Sequence, residues 1–137
     1  MPTTMTVHLR GIEDTEAALG WAGAHTMVVD RPEGAAGGKG LGFNGGQLLA
    51  LAIGGCFCND LRYVADAMGI RLRRIEVDVT LALDGDPLLA TGASMAVAVE
   101  AEGGADLARL IERAKAISTV SNSIARGVPV TVSLPPA

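Results

Sequence analysis

The chain has 137 residues, 49% of them hydrophobic but only 3% aromatic, and a formal net charge of −4. That length fits one domain over residues 1–137, and a core without large rings must be built from Ala, Val, Leu and Ile, which favours an oligomer that shares its core. No cluster of Lys or Arg appears, so the acidic balance argues against nucleic acid as a partner. No apolar run reads as long enough to span a bilayer, and the N-terminus has no charged region leading into an apolar stretch. The expectation is a cytoplasmic protein with no membrane partner. Two cysteines one residue apart also differ from the spread framework of a secreted disulfide protein.

In chain order, Met5 to Arg10 alternates weakly and predicts a first strand, Glu13 to Glu16 a turn, Ala17 to Ala22 a second strand and His25 to Asp30 a third. Arg31 to Gly40 carries one proline and four glycines and is expected to be a flexible connection. Its Lys39 is not followed by Ser or Thr, so it does not fit a phosphate-binding loop.

Asn44 is a plausible helix N-cap and Gly69 a C′ residue, which predicts one long central helix between them. Ala50, Leu51, Gly54, Phe57, Cys58, Leu61, Val64, Ala65 and Met68 fall on one apolar stripe, with Cys56 beside it at a border between dry and wet. Cys58 then reads as core packing and Cys56 as the reactive candidate. Side chains two apart on a helix point to nearly opposite faces, so the two thiols are not expected to bond each other. Gly54 and Gly55 in mid-helix each cost about 1 kcal/mol relative to Ala, which suggests close approach of another backbone.

Arg71 to Leu83 alternates cleanly and pairs, across a turn at Asp84 to Pro87, with Ala93 to Ala101 as an antiparallel hairpin. Ile75, Val77, Val79, Leu81 and Leu83 are expected to face inward, with Met95, Val97 and Val99 opposite. Leu107, Leu110, Ile111, Ala114 and Ile117 predict a second amphipathic helix, Ser118 to Ala125 a further helical turn, and Val128 to Leu134 a last strand.

Asn44-x-x-Gln47-Leu48-Leu49, Cys56-Phe57 leading into Leu61-Arg62-Tyr63-Val64-Ala65, and Gly69-Ile70 resemble the OsmC/Ohr family of osmotically inducible and organic hydroperoxide resistance proteins. Val120-Ser121-Asn122-Ser123-Ile124 followed by Val128-Pro129-Val130-Thr131-Val132 is similar to its second signature. The resemblance implies an α+β fold, with antiparallel sheets wrapped around a long central helix in an intertwined homodimer. It also implies reduction of organic peroxides by one cysteine, at Cys56, aided by an arginine that corresponds to Arg10. Two family features are absent. The second cysteine, of a Cys-Pro-x-Ser pattern, falls at Ser118, with Thr119 in place of proline. The Asn-Pro-Glu-Gln pattern reads Asn44-Gly45-Gly46-Gln47, without the glutamate.

A thiolate is the nucleophile, so Cys56 calls for a nearby cation or donors. The candidates are Arg10, Lys39, Arg62 and Arg126, whereas an unpaired Asp60 close by would oppose ionisation. Gln47, Phe57, Asp60, Ser121 and Asn122 are the candidate substrate-binding residues. The first reading is reduction of organic hydroperoxides at Cys56, with an external thiol or dithiol recycling the sulfenic acid, no cofactor and a small hydrophobic substrate. A second keeps Cys56 as a nucleophile toward an acyl carbon, with His8 or His25 as base and Ser118, Ser121 and Asn122 as donors. A third is a dimeric pocket that binds a hydrophobic small molecule with Cys56 inert. Cys-x-Cys with distant His8 and His25 gives no zinc spacing.

Overall fold

Antiparallel pairing organises both sheets of the computed structural model, which describes residues 2–135. The chain forms one compact unit up to Leu49 and a second from Ala50 onward. In the first, β1 (His8–Gly11), β2 (Ala18–Ala22) and β3 (His25–Val29) make a meander in that order. His8 lies opposite Trp21, and Ala22 opposite His25. Gly23, at φ 58°, makes the tight link between β2 and β3, a backbone conformation that costs glycine little.

The glycine-rich segment after β3 is built, not slack. Asp30, 6% exposed, accepts backbone N–H bonds from Arg31 (2.7 Å), Lys39 (3.1 Å) and Leu41 (3.0 Å). Gly38 sits where a Cβ would stand 2.6 Å from the Arg31 and Pro32 carbonyl oxygens, so the loop closes only with glycine there. The expectation of a flexible connection fails because composition does not show a buried carboxylate gathering three amides. The Leu41 amide foremost, then those of Lys39 and Arg31 and the Arg31 guanidinium, hold the Asp30 carboxyl below the usual aspartate range, against burial, which pushes it up. A carboxyl lowered by folding adds stability that is present above the unfolded value near ~3.9 and is lost as pH falls through the folded one. Asp30→Ala is therefore expected to lower the urea midpoint at pH 7, with the difference from the parent shrinking below about pH 4. An equal difference at pH 7 and pH 3 would contradict the assignment.

The second unit is organised by α1 (Gly45–Met68), which begins in the first. Its start is a reciprocal cap: Asn44 Oδ1 accepts from Gln47 N (2.9 Å), and Gln47 Oε1 accepts from Asn44 N (3.0 Å). The helix ends at Gly69, φ 68°, where Ile70 N returns to the Ala65 carbonyl (2.8 Å). The hairpin is longer than its alternation suggested, with β4 (Leu72–Asp84) pairing β5 (Leu89–Ala101). Val77 lies opposite Val97, and Val79 opposite Met95. Ile75, Val77, Met95, Val97 and Val99 pack on a cluster of Phe57, Leu61, Val64 and Ala65 from α1 with Leu110 and Ala114 from α2 (Leu107–Ile117). Leu83 and Ile117, both expected inside, are 42% and 49% exposed. Asp106 caps α2 by accepting from Arg109 N (3.1 Å). At Ser118 the backbone turns extended (ψ 107°), so the expected extra turn is a separate helix, α3 (Thr119–Arg126).

Three expectations change. Burial on α1 runs through Ile53, Gly54, Phe57, Asp60, Leu61, Val64 and Ala65, a stripe rotated from the predicted one toward Asp60, with Leu51 43% exposed. Residues 128–134 form no strand in the described chain, because no neighbouring strand offers them a ladder; Val130 is 83% exposed and Leu134 92%. Finally, α1 has the length and apolar composition to cross a bilayer, contrary to the sequence reading. Its buried face is taken up in packing on the hairpin and α2, as in a core helix.

Gly54 does mark a close approach, but of side chains and not of a backbone. A Cβ there would stand 2.8 Å from Val79 Cγ2, whereas Gly55 has nothing within 4 Å. Gly55→Ala is expected to stabilise by about 1 kcal/mol through helix propensity. Gly54→Ala is expected to forfeit that gain and lose stability, since stiff Val79 must shift. Denaturant midpoints for the two variants check the contrast; equal gains would show that the Val79 contact is loose.

Candidate functional site

The site is built on the middle of α1. At 100° per residue, Cys56 and Cys58 flank the buried stripe on opposite edges, and both thiols are free and half-buried. Cys58 is thus no more part of the core than Cys56. What distinguishes Cys56 is its neighbour one turn on. Its Sγ donates to Asp60 Oδ2 at 3.6 Å, and the Asp60 residue is 5% exposed. This is the spacing at which helical side chains meet. Among the described residues no other side-chain hydrogen bond and no ion pair is recorded for Asp60. A buried carboxylate without a cation is costly, and two anions side by side would cost more. The pair therefore favours one shared negative charge: a thiol donating to a carboxylate, or a thiolate beside a protonated Asp60.

Beside this pair, Phe57 and Ile53 form a wall of a cavity of about 460 Å³, completed by Met95 from β5 and by Lys115, Ser118, Ser121, Asn122 and Ile124. Ser118, the residue at the position of the expected second cysteine, is 1% exposed, and its Oγ has no hydrogen-bond partner; the buried Ser121 Oγ has none either. Asn122 Nδ2 donates to the Ala116 carbonyl (3.1 Å), tying α3 back to α2. The structure thus brings Phe57, Ser118, Ser121 and Asn122 to one cavity and joins Cys56 to Asp60.

The remaining candidates have other placements. Gln47 is engaged in the cap of α1. Arg10, on β1, lies over the Trp21 ring (5.7 Å to its centroid) and donates to the Leu9 carbonyl. His8 packs on the same ring with centroids 5.3 Å apart. Arg62 is exposed and reaches the Leu72 carbonyl (3.5 Å), Arg126 is exposed at the end of α3, and Lys39 gives its amide to Asp30. Sequence reading missed Met95 and Lys115 as cavity residues; their spacing carries no signal, because strand β5 and helix α2 meet the α1 wall only in the folded unit.

A helix-centred α+β unit with a half-buried thiol and an antiparallel hairpin matches a known family. Residues 37–133 match the family model of OsmC-like protein, and the chain belongs to that family. Among solved structures it is similar to an OsmC-like protein from Mycoplasma pneumoniae (TM-score 0.76, 14% identity, 91% of this chain and 89% of that one). It is equally similar to an OsmC-like protein of unknown function from Vibrio cholerae (TM-score 0.76, 10% identity, 89% and 94%). An organic hydroperoxide resistance protein OsmC from Legionella pneumophila aligns at TM-score 0.59 with 22% identity over 89% of each chain. A search of curated protein sequences finds no match.

Proposed function

We propose that this chain reduces organic hydroperoxides through Cys56, and that Asp60 handles the proton. The observation that carries the reading is the 3.6 Å contact between the half-buried thiol and a buried carboxylate, in a chain of this family. Asp60 takes the thiol proton. The thiolate then attacks the terminal oxygen of the hydroperoxide, forming an S–O bond and breaking the O–O bond, and the leaving alkoxide recovers the proton from Asp60 as an alcohol. Asp60 thus supplies, from one turn along the helix, a carboxylate that the Asn44-Gly45-Gly46-Gln47 segment lacks. Cys56 is left as a sulfenic acid. An external thiol displaces water to give a mixed disulfide, and a second thiol releases Cys56. Cys58, on the opposite edge of the stripe, takes no part. Two free cysteines suit a reducing compartment such as the cytoplasm.

The chain is further proposed to act as a homodimer, supported by the apolar residues left uncovered on one copy, Tyr63 (69% exposed), Val130 and Leu134 among them. The enzymatic reading is tested by following cumene hydroperoxide with this protein and either a monothiol or a dithiol, and by mass spectrometry of Cys56 after one equivalent of peroxide. Turnover and a sulfenic acid at Cys56 are expected. Absence of turnover with every reductant would overturn the reading.

A further inference from the structure

The cavity beside Phe57 carries features that hydroperoxide reduction at Cys56 does not use. Two buried hydroxyls, Ser118 Oγ and Ser121 Oγ, face no acceptor or donor. Buried polar groups are satisfied in nearly all cases, and an orphan of this kind costs stability in the empty protein. Ser118 is also the N-cap of α3, yet its side chain does not cap the helix. Among the described residues, the amides of Thr119, Val120 and Ser121 have no recorded acceptor; the first bond into α3 runs from Asn122 N to the Ser118 carbonyl (3.0 Å). The cavity therefore opens beside the positive end of a helix, with a 99%-buried donor at its first turn.

A cation lies at the same wall. Lys115 lines the cavity, and its Nζ is shared with the exposed Glu112 at 3.2 Å, a pairing that solvent keeps weak. The rest of the lining that matters here is apolar: Ile53, Phe57, Met95 and Ile124. Donors, a helix N-terminus and a lysine on one side, with aliphatic and aromatic surface on the other, define a ligand with an anionic, hydrogen-bond-accepting head and an apolar body.

We propose that this cavity binds an amphipathic monocarboxylate, its carboxylate oxygens accepting from the Ser118 and Ser121 hydroxyls and its hydrocarbon lying on Phe57, Ile53 and Met95. The site is independent of the reaction at Cys56. It gives the residue standing where relatives carry a second thiol a role of its own: a hydroxyl donor in place of a redox partner.

Octanoate is the probe, titrated calorimetrically into the full-length protein, with 1-octanol as the uncharged comparison. Saturable octanoate binding, tighter than that of octanol, is expected. The Ser118→Ala/Ser121→Ala double variant is expected to weaken octanoate by about tenfold or more, and Cys56→Ser to bind as the parent does. The double variant without ligand is expected to melt at or above the parent temperature, since it removes two unsatisfied buried hydroxyls; a purely structural role for the serines would lower it. No octanoate binding, octanol binding as tightly as octanoate, or unchanged affinity in the double variant would each overturn the proposal. Because Cys56→Ser abolishes peroxide reduction but not this binding, failure of either assignment is read separately.

Discussion

Asp60→Asn is expected to slow formation of the Cys56 sulfenic acid by about 10²–10⁴ at pH 7, the usual worth of a positioned proton acceptor. Asn keeps the size of the side chain and removes the base. The deficit should shrink as pH rises toward and past the ordinary thiol range near ~8.5, where hydroxide replaces the carboxylate. Cys56→Ser should remove the reaction at every pH, and Cys58→Ser should leave it intact. The sign of the Asp60→Asn effect separates two roles. If the buried carboxylate acts only by repelling a thiolate 3.6 Å away, its removal speeds the reaction instead. A faster Asp60→Asn would thus remove the proton-transfer assignment while leaving Cys56 as nucleophile. Stopped-flow measurement of single-turnover oxidation across pH 6 to 10 gives the answer directly.

Leu61→Ala is expected to destabilise the protein by about 2–5 kcal/mol. Leu61 is 0% exposed at the centre of the cluster in which Phe57, Val64 and Ala65 of α1 meet Leu110 and Ala114 of α2. Such a loss is a large part of the stability of a domain this size. Leu110→Ala, also at 0% exposure, should cost a similar amount, and the two should be non-additive by about 0.5–3 kcal/mol because their side chains share one cluster. Equilibrium urea unfolding of the two single variants and the double variant completes the cycle. Additive losses, or a Leu61→Ala cost below about 1 kcal/mol, would mean that α2 is not packed on the central helix as the structure has it.

The elements whose residues carry their own boundary signals were legible in the sequence. Asn44 and Gly69 bracket α1 because a cap and a left-handed terminator are local chemistry. The β4–β5 hairpin followed from period-two alternation, and Ile75, Val77, Met95, Val97 and Val99 do turn toward the core. The rotation of the α1 stripe was not legible. Asp60 is polar, so hydropathy placed it at the border, while the fold buries it behind its contact with Cys56. For the same reason the Arg31–Gly40 loop read as slack, since the order comes from Asp30, a residue outside the glycine run. In the site, the spacing of Cys56 and Asp60 was visible, but not their contact. The cavity could not be foreseen, because Met95, Lys115 and Ser118 converge from a strand and two helices.

The uncovered tail after α3 has a consequence for solubility. Alternation puts Val128, Val130, Val132 and Leu134 on one side, all more than 60% exposed, and Pro129, Thr131, Ser133 and Pro135 on the other. A run of exposed valines with free backbone groups is a template for indefinite edge-to-edge stacking. Pro129 and Pro135 remove an amide donor at each end of the run, so a continuous ladder cannot extend through it in either direction. The segment thus keeps enough apolar surface to dock once against a matching surface, while its prolines guard against fibre growth.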